Sequence, residues 1–450
     1  MIRASHYGRT TSTVDRSRYD SGMARSLRFV LIGTFTLRFS TGLTGSMLAF
    51  YLAHLPDHGG PEVSGGTVGI YAALFYISEL VLSPMFGILS DRYGHHRVML
   101  YGPVFGAIAV TLTGLTTNLF LLGGTRLLEG ASSAASVPSI LGFIAVATAG
   151  NEVLRGKMAA RFEAATLAGL GVGAILGVKL FELIGPVAFF INAAIYGVSF
   201  LIYWRGVKDP SGEVAPVESE HVGVRRYIAL ISASHVWLLA PTWIAVNAAI
   251  GVWLSQSLFQ LAKGDPRFPD QALMAGFTAN QITIAAIAIA AVFGAGLLYW
   301  GNRFKTLRRT TIIGYGVAGG AVLVLAGVVV NHLWTTYPIV AVLAVLFAAG
   351  GLFVLAGATP AALGLLADMS ERFPADRGAI MGLYSVFLAI GQITGALIGG
   401  AAADWLGIDG MFIATLILLG VAVIPLAQLR AQEHQLEMPD QDGRVGTAPA

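Results

Sequence analysis

The chain has 450 residues, 55% of them hydrophobic and only 12% charged, with a net charge of +3 and a mean hydropathy of +0.71. Soluble domains carry about 25% charged residues, so this chain cannot coat a globular surface, and lipid is its expected solvent. The absence of cysteine excludes disulfides and thiolate metal sites, and so small a net charge makes no case for nucleic acid.

In chain order, a polar arm over residues 1–24 reads as a disordered tail. Six apolar stretches follow, at 29–53, 67–90, 98–118, 120–148, 163–184 and 186–205. Each is long enough for a spanning helix of about 20 residues. The first is too long for the core of a signal peptide and reads as a retained helix. The polar segment 206–227 divides the chain as a linker. Six more stretches lie at 235–260, 276–301, 310–331, 336–366, 378–403 and 410–429, followed by a polar tail over 431–450. The expected fold is an all-α polytopic membrane protein of 12 helices, two six-helix bundles spanning 25–205 and 228–430. With the amino terminus in the cytoplasm, 23 of the 28 basic residues fall inside, among them Arg25, Arg155, Arg225 and Arg308. That asymmetry places both termini in the cytoplasm.

The halves repeat. Arg155-Gly156, Gly169, Gly173 and Gly177 recur as Arg377-Gly378, Gly391, Gly395 and Gly399, all at one offset of 222 residues. Glycines four apart make a smooth face for a neighbouring helix. Two related halves around a central path are a transporter plan.

Ionisable residues inside spans are costly and mark function. The clear cases are Arg38, Glu79, Arg126, Glu129, Lys179 and Glu182, all in the first half. Arg38 and Glu79 lie about 15 Å deep by helical rise and can pair. Arg126 and Glu129 are three apart on one helix. Lys179 and Glu182, near the outer end, read as a structural pair. The second half offers neutral polar groups, with Asn247 and Gln256 as cavity candidates. Low dielectric disfavours a charged carboxylate, so one at the midplane can take a proton from one side and release it on the other. Glu79 is the first candidate and Glu129 the second.

The stretch GILSDRYGHHR, residues 87–97, resembles the cytoplasmic signature of the major facilitator superfamily. Gly87, Leu89, Asp91, Arg92, Gly94 and Arg97 match it, between spans two and three. Arg126 to Gly130 resembles the span-four signature, and GLGVGAILG, 169–177, the span-five signature of drug:proton antiporters, with Ala174 standing where that pattern has proline. The resemblance implies two pseudo-symmetric bundles, alternating access, and a latch in which Asp91 faces the start of span eleven near Gly378. His95 and His96 depart from the signature and read as exposed loop residues.

The leading expectation is a proton-driven exporter of lipophilic or amphiphilic compounds in the bacterial inner membrane. It needs no cofactor beyond the proton gradient, acts as a monomer in the lipid bilayer, and has no enzymatic constellation. The alternatives are a permease for a small organic anion or sugar phosphate that uses Arg38 and Arg126, and a non-transporting sensor on the same fold.

Overall fold

The structure is a computed structural model that describes residues 13–149, 151–208, 236–301, 303, 307–371 and 377–436. Among these residues there is no strand. Lipid offers no hydrogen bonds to the backbone, and a helix satisfies its own.

The first half runs α1 (Thr13–Ala53), α2 (Gly65–Tyr93), the short α3 (His95–Met99), α4 (Tyr101–Leu115), α5 (Leu119–Ala147), α6 (Glu152–Ile184) and α7 (Val187–Gly206). The second runs α8 (Val236–Lys263), α9 (Ala279–Gly301), α10 (Arg309–Leu333), α11 (Pro338–Leu355), α12 (Ala358–Glu371) and α13 (Arg377–Leu436). Side-chain caps mark several starts. Ser64 accepts from the Thr67 N–H, Asn118 from those of Phe120 and Leu121, and Asn151 from that of Leu154, each satisfying donors that a helix end leaves open.

Ten helical segments among the described residues are long and apolar enough to cross a membrane. One of them, Ser385–Ala431, is 47 residues long. It breaks at Gly407, where φ is 64° and ψ −144°, so it supplies two segments of the length expected. α1 is not among the ten, because Arg38 and a run of Thr, Ser and Gly dilute its apolar character. All twelve expected stretches nevertheless fall in helix, apart from a few terminal residues. The tenth is split between α11 and α12, where Pro360 lacks the N–H that a continuous helix would donate back to Ala356.

Two boundaries differ from the expectation. α1 begins at Thr13, inside the stretch read as a tail, and α13 continues to Leu436. Hydropathy marks where lipid ends, whereas a helix runs on until a breaker, and residues 13–28 contain no proline. The expected linker falls mostly on residues outside those described.

The glycine faces pack the same way in both halves. A Cβ on Gly169, Gly173 or Gly177 would come within 3.0 Å of α1, and one on Gly391, Gly395 or Gly399 within 3.0 Å of α8. The first helix of each half is thereby drawn against its fifth.

The described ends, Thr13 and Leu436, and residues 91–97 lie at one face of the molecule, called here the terminal face; residues 54–64, 264–278 and 404–409 lie at the opposite face. At the terminal face each half has its own core. Leu27, Val30, Phe143 and Phe162 belong to one cluster, and Leu238, Trp243, Leu366 and Leu429 to another. At the opposite face the halves share a cluster, in which Val178 packs with Ala262, Ala279 and Ile282. The two halves are thus joined at the opposite face.

Candidate functional site

Gly130 sets up the charged cluster. A side chain there would collide with the Phe75 carbonyl and Ser78 of α2, so glycine lets α2 lie directly on α5. Ser78 fixes the contact by donating to the Leu127 carbonyl at 2.7 Å. Glu79 is thereby brought against Ser133 of α5, whose hydroxyl donates to Glu79 Oε1 at 2.5 Å. The same hydroxyl accepts from Arg38 Nη1 at 3.1 Å. Arg38 and Glu79 are therefore joined through Ser133 rather than by a direct ion pair, and Arg38 is buried.

One turn along α5 from Ser133, Glu129 forms an ion pair with Arg126. The Arg126 guanidinium also lies over the Phe75 ring, 5.0 Å from its centroid, a cation–π contact. Glu129 is buried, with its second carboxylate oxygen, Oε1, left without a hydrogen-bond partner. Arg126, Glu129 and Ser133 share one face of α5. Tyr76 feels the charges of Glu79, Arg126 and Arg38, and Tyr196 those of Glu129 and Arg38. Glu163 of α6 also lies within electrostatic reach of Arg38.

Ser133, Tyr76, Tyr196 and Glu163 were not singled out from sequence. Ser133 had a signal, since it follows Glu129 by one turn. Glu163 had a weaker one, since it opens the fifth apolar stretch, and because α6 starts at Glu152 it sits about three turns inside that helix.

The structure does not bring Asn247 and Gln256 to this cluster. Asn247 is buried in the seam between α8 and α13, where its amide donates to the Trp243 carbonyl at 2.8 Å. Gln256 lies at the junction of the halves, donating to the Gly65 carbonyl at 3.0 Å. Lys179 and Glu182 pair at 2.5 Å near the opposite face. An apolar groove of about 450 Å³ along α8 and α13, lined by Trp237, Pro241, Ile244, Ala248 and Phe387 among others, belongs to the second half alone.

At the terminal face, Gly87 looks onto Pro138, and Gly94 turns the chain with φ 95°. Arg92 and Arg97 are exposed. Asp91 is 57% exposed, its carboxylate 3.9 Å from His95 Nε2. The contact expected of it, at the start of span eleven near Gly378, adjoins residues 372–376, which lie outside those described. The two histidines are not the free loop residues expected. His95 packs against Gly142 and meets the Ser90 hydroxyl at 3.1 Å, while His96 meets the Tyr203 carbonyl at 3.0 Å. α3 folds back onto α5 and α7, which hydropathy does not reveal.

Among the described residues no group of three or more His, Asp or Glu side chains is placed to hold a metal ion.

Known proteins place this arrangement. The profile of the Major Facilitator Superfamily matches residues 30–293 and 269–445. "Multidrug resistance protein 1" of Bacillus subtilis is 26% identical over 376 residues, covering 83% of this chain and 90% of its own. "Quinolone resistance protein NorA" of Staphylococcus aureus is 21% identical over 427 residues, covering 93% of this chain and 100% of its own. In fold, the crystal structure of the nucleoside transporter NupG superposes with a TM-score of 0.65 at 15% identity, covering 90% of this chain and 98% of that one. The chain belongs to the Major Facilitator Superfamily, whose members are membrane transporters.

Proposed function

We propose that the protein is a secondary transporter that exports lipophilic or amphiphilic compounds by alternating access, driven by protons that pass through the charged cluster of the first half. The terminal face is the cytoplasmic one in a bacterial inner membrane, as the basic residues argue, and the molecule works as a monomer. The described state is then open toward the cytoplasm.

The observation that carries the reading is the bridge Arg38–Ser133–Glu79 beside the pair Arg126–Glu129. In this state Glu79 Oε1 accepts a hydrogen bond from the Ser133 hydroxyl, which also accepts from Arg38. A proton on Glu79 removes the charge that Arg38 faces through the hydroxyl, loosening α1 from α2 and α5. Uptake and release of that proton on opposite sides then couples the gradient to the movement of the halves. The charged first half and the apolar groove of the second suit a compound with a polar head and an apolar body. The names of the Bacillus and Staphylococcus relatives support the same substrate class.

The test is transport in proteoliposomes under an imposed pH gradient, with a lipophilic cation and a small organic anion offered in parallel. The expected result is gradient-driven flux of the cation. Flux of the anion alone, lost in Arg38→Ala, would favour the organic-anion permease. Binding without flux of either would favour a sensor.

A further inference from the structure

Span two begins with Ser64-Gly65-Gly66, and the carboxylate that closes its first turn comes from the other half of the molecule. Asp404, at the end of the span-eleven part of α13, accepts from the Gly65 N–H at 2.6 Å and from the Gly66 N–H at 2.7 Å, one donor to each oxygen. Ser64 takes the next donor, the Thr67 N–H, at 3.1 Å. The three leading donors of α2 are thereby satisfied, two of them across the junction. The paired glycines make room, since a Cβ on Gly65 or Gly66 would stand 3.0 Å from an Asp404 oxygen. A carboxylate on a helix amino terminus gains from the dipole and from charge-assisted hydrogen bonds.

The surroundings hold this contact in register. Gln256 and Lys263 of α8 donate to the Gly65 and Val63 carbonyls, at 3.0 and 2.8 Å. Gly69 and Gly400 let the backbones of α2 and α13 touch. Three residues beyond Asp404 the helix breaks at Gly407, and that bend is clamped. Gln271 donates to the Leu406 carbonyl at 2.9 Å, and Asp409 meets His332 at 2.8 Å and Asn331 at 2.9 Å.

We propose that Asp404 on the Gly65-Gly66 amides is the outer latch of the transport cycle, which must break before the opposite face can open. α2 and the first part of α13 run antiparallel, so each presents its carboxyl-terminal end to the amino terminus of the other. The outer end of the pair is fastened by Asp404. The inner end carries Asp91, which the family signature aims at the start of span eleven. One helix pair thus holds a carboxylate at each end, and fastening one end accompanies parting the other. In the described state the outer contact is made and Asp91 is largely exposed. Asp404 is a positioning residue: it sets which side is open.

The inference rests on the alternating-access reading, and its test separates the two. The chain has no native cysteine, so spin labels at Glu62→Cys and Thr336→Cys report the outer separation of the halves by pulsed electron resonance in nanodiscs. Asp404→Asn and, independently, Gly66→Val, which pushes the Asp404 carboxylate off the amides without changing that residue, are compared with Gly400→Trp, whose side chain would wedge the outer ends apart. The expected result is a longer distance population in all three, with the outward-to-inward ratio of Asp404→Asn raised about tenfold, the scale of a lost hydrogen bond to a charge. If Gly400→Trp lengthens the distance and the other two match the parent, the latch is overturned and alternating access stands. If Gly400→Trp also leaves the distance unchanged, alternating access falls and the latch with it.

Discussion

The two halves share their packing and differ in their chemistry. In the first, α6 lays Gly169, Gly173 and Gly177 on α1, and in the second, α13 lays Gly391, Gly395 and Gly399 on α8. Beside the first seam sit Arg38, Glu79, Arg126 and Glu129. Beside the second, among the described residues, the buried polar groups such as Asn247 and Gln392 are neutral, and Asn247 is spent on its own helix and on the seam. The repeated seam supplies the frame, and in the proposed mechanism the proton acts on one bundle only. The other bundle is free to present an apolar wall.

Glu79→Gln breaks this comparison most severely. It removes the titrating group while keeping a hydrogen-bond acceptor for Ser133. Gradient-driven flux should fall to the level of protein-free vesicles while substrate binding, read by thermal shift, persists. Full transport would remove Glu79 from the mechanism.

The shared packing predicts a symmetric effect. Gly173→Leu and Gly395→Leu each force a side chain into a partner backbone and should cost about 1–3 kcal/mol or more, read as similar falls in Tm. A variant tolerated in one half and ruinous in the other would show that the seams are not equivalent.

Ser133→Ala sharpens the chemical side. The hydroxyl joins two charged groups, and hydrogen bonds of that kind are worth about 1.5–3 kcal/mol. Gradient-driven flux should drop about tenfold and its pH profile should shift. An unchanged profile would make the bridge a packing contact.

The smallest effect is at the rim of the second half. The Arg267 side chain donates to Asp265 and holds its carboxyl below the usual aspartate range. A carboxylate with a lowered folded value stabilises the fold above its unfolded pKa, and that gain is lost as pH falls through the folded value. The Tm of the parent should therefore exceed that of Asp265→Asn slightly at neutral pH, and the gap should close on acidification. A gap that widens in acid would reverse the sign.

Sequence reading recovered what depends on local pattern. Apolar length located the segments, one register revealed the duplication, and the spacing of Arg126 and Glu129 gave their pair directly. It missed what depends on which helix faces which. Ser133 becomes a bridge only because Gly130 lets α2 settle on α5. Gln256 looks like any polar residue in a span until Gly65 is seen beneath it. His95 and His96 look exposed in a charged loop until α3 folds back. Asp404 was passed over because it falls just beyond an apolar run, where hydropathy records the end of a span and nothing about the amides opposite.

The central claim is that protons move through the first half in exchange for substrate. It is tested most directly in vesicles filled with a pH-sensitive dye, reconstituted with parent or Glu79→Gln and given a lipophilic cation without any imposed gradient. The account predicts a change in lumenal pH on substrate addition with the parent and none with Glu79→Gln. An equal pH change in both would contradict it.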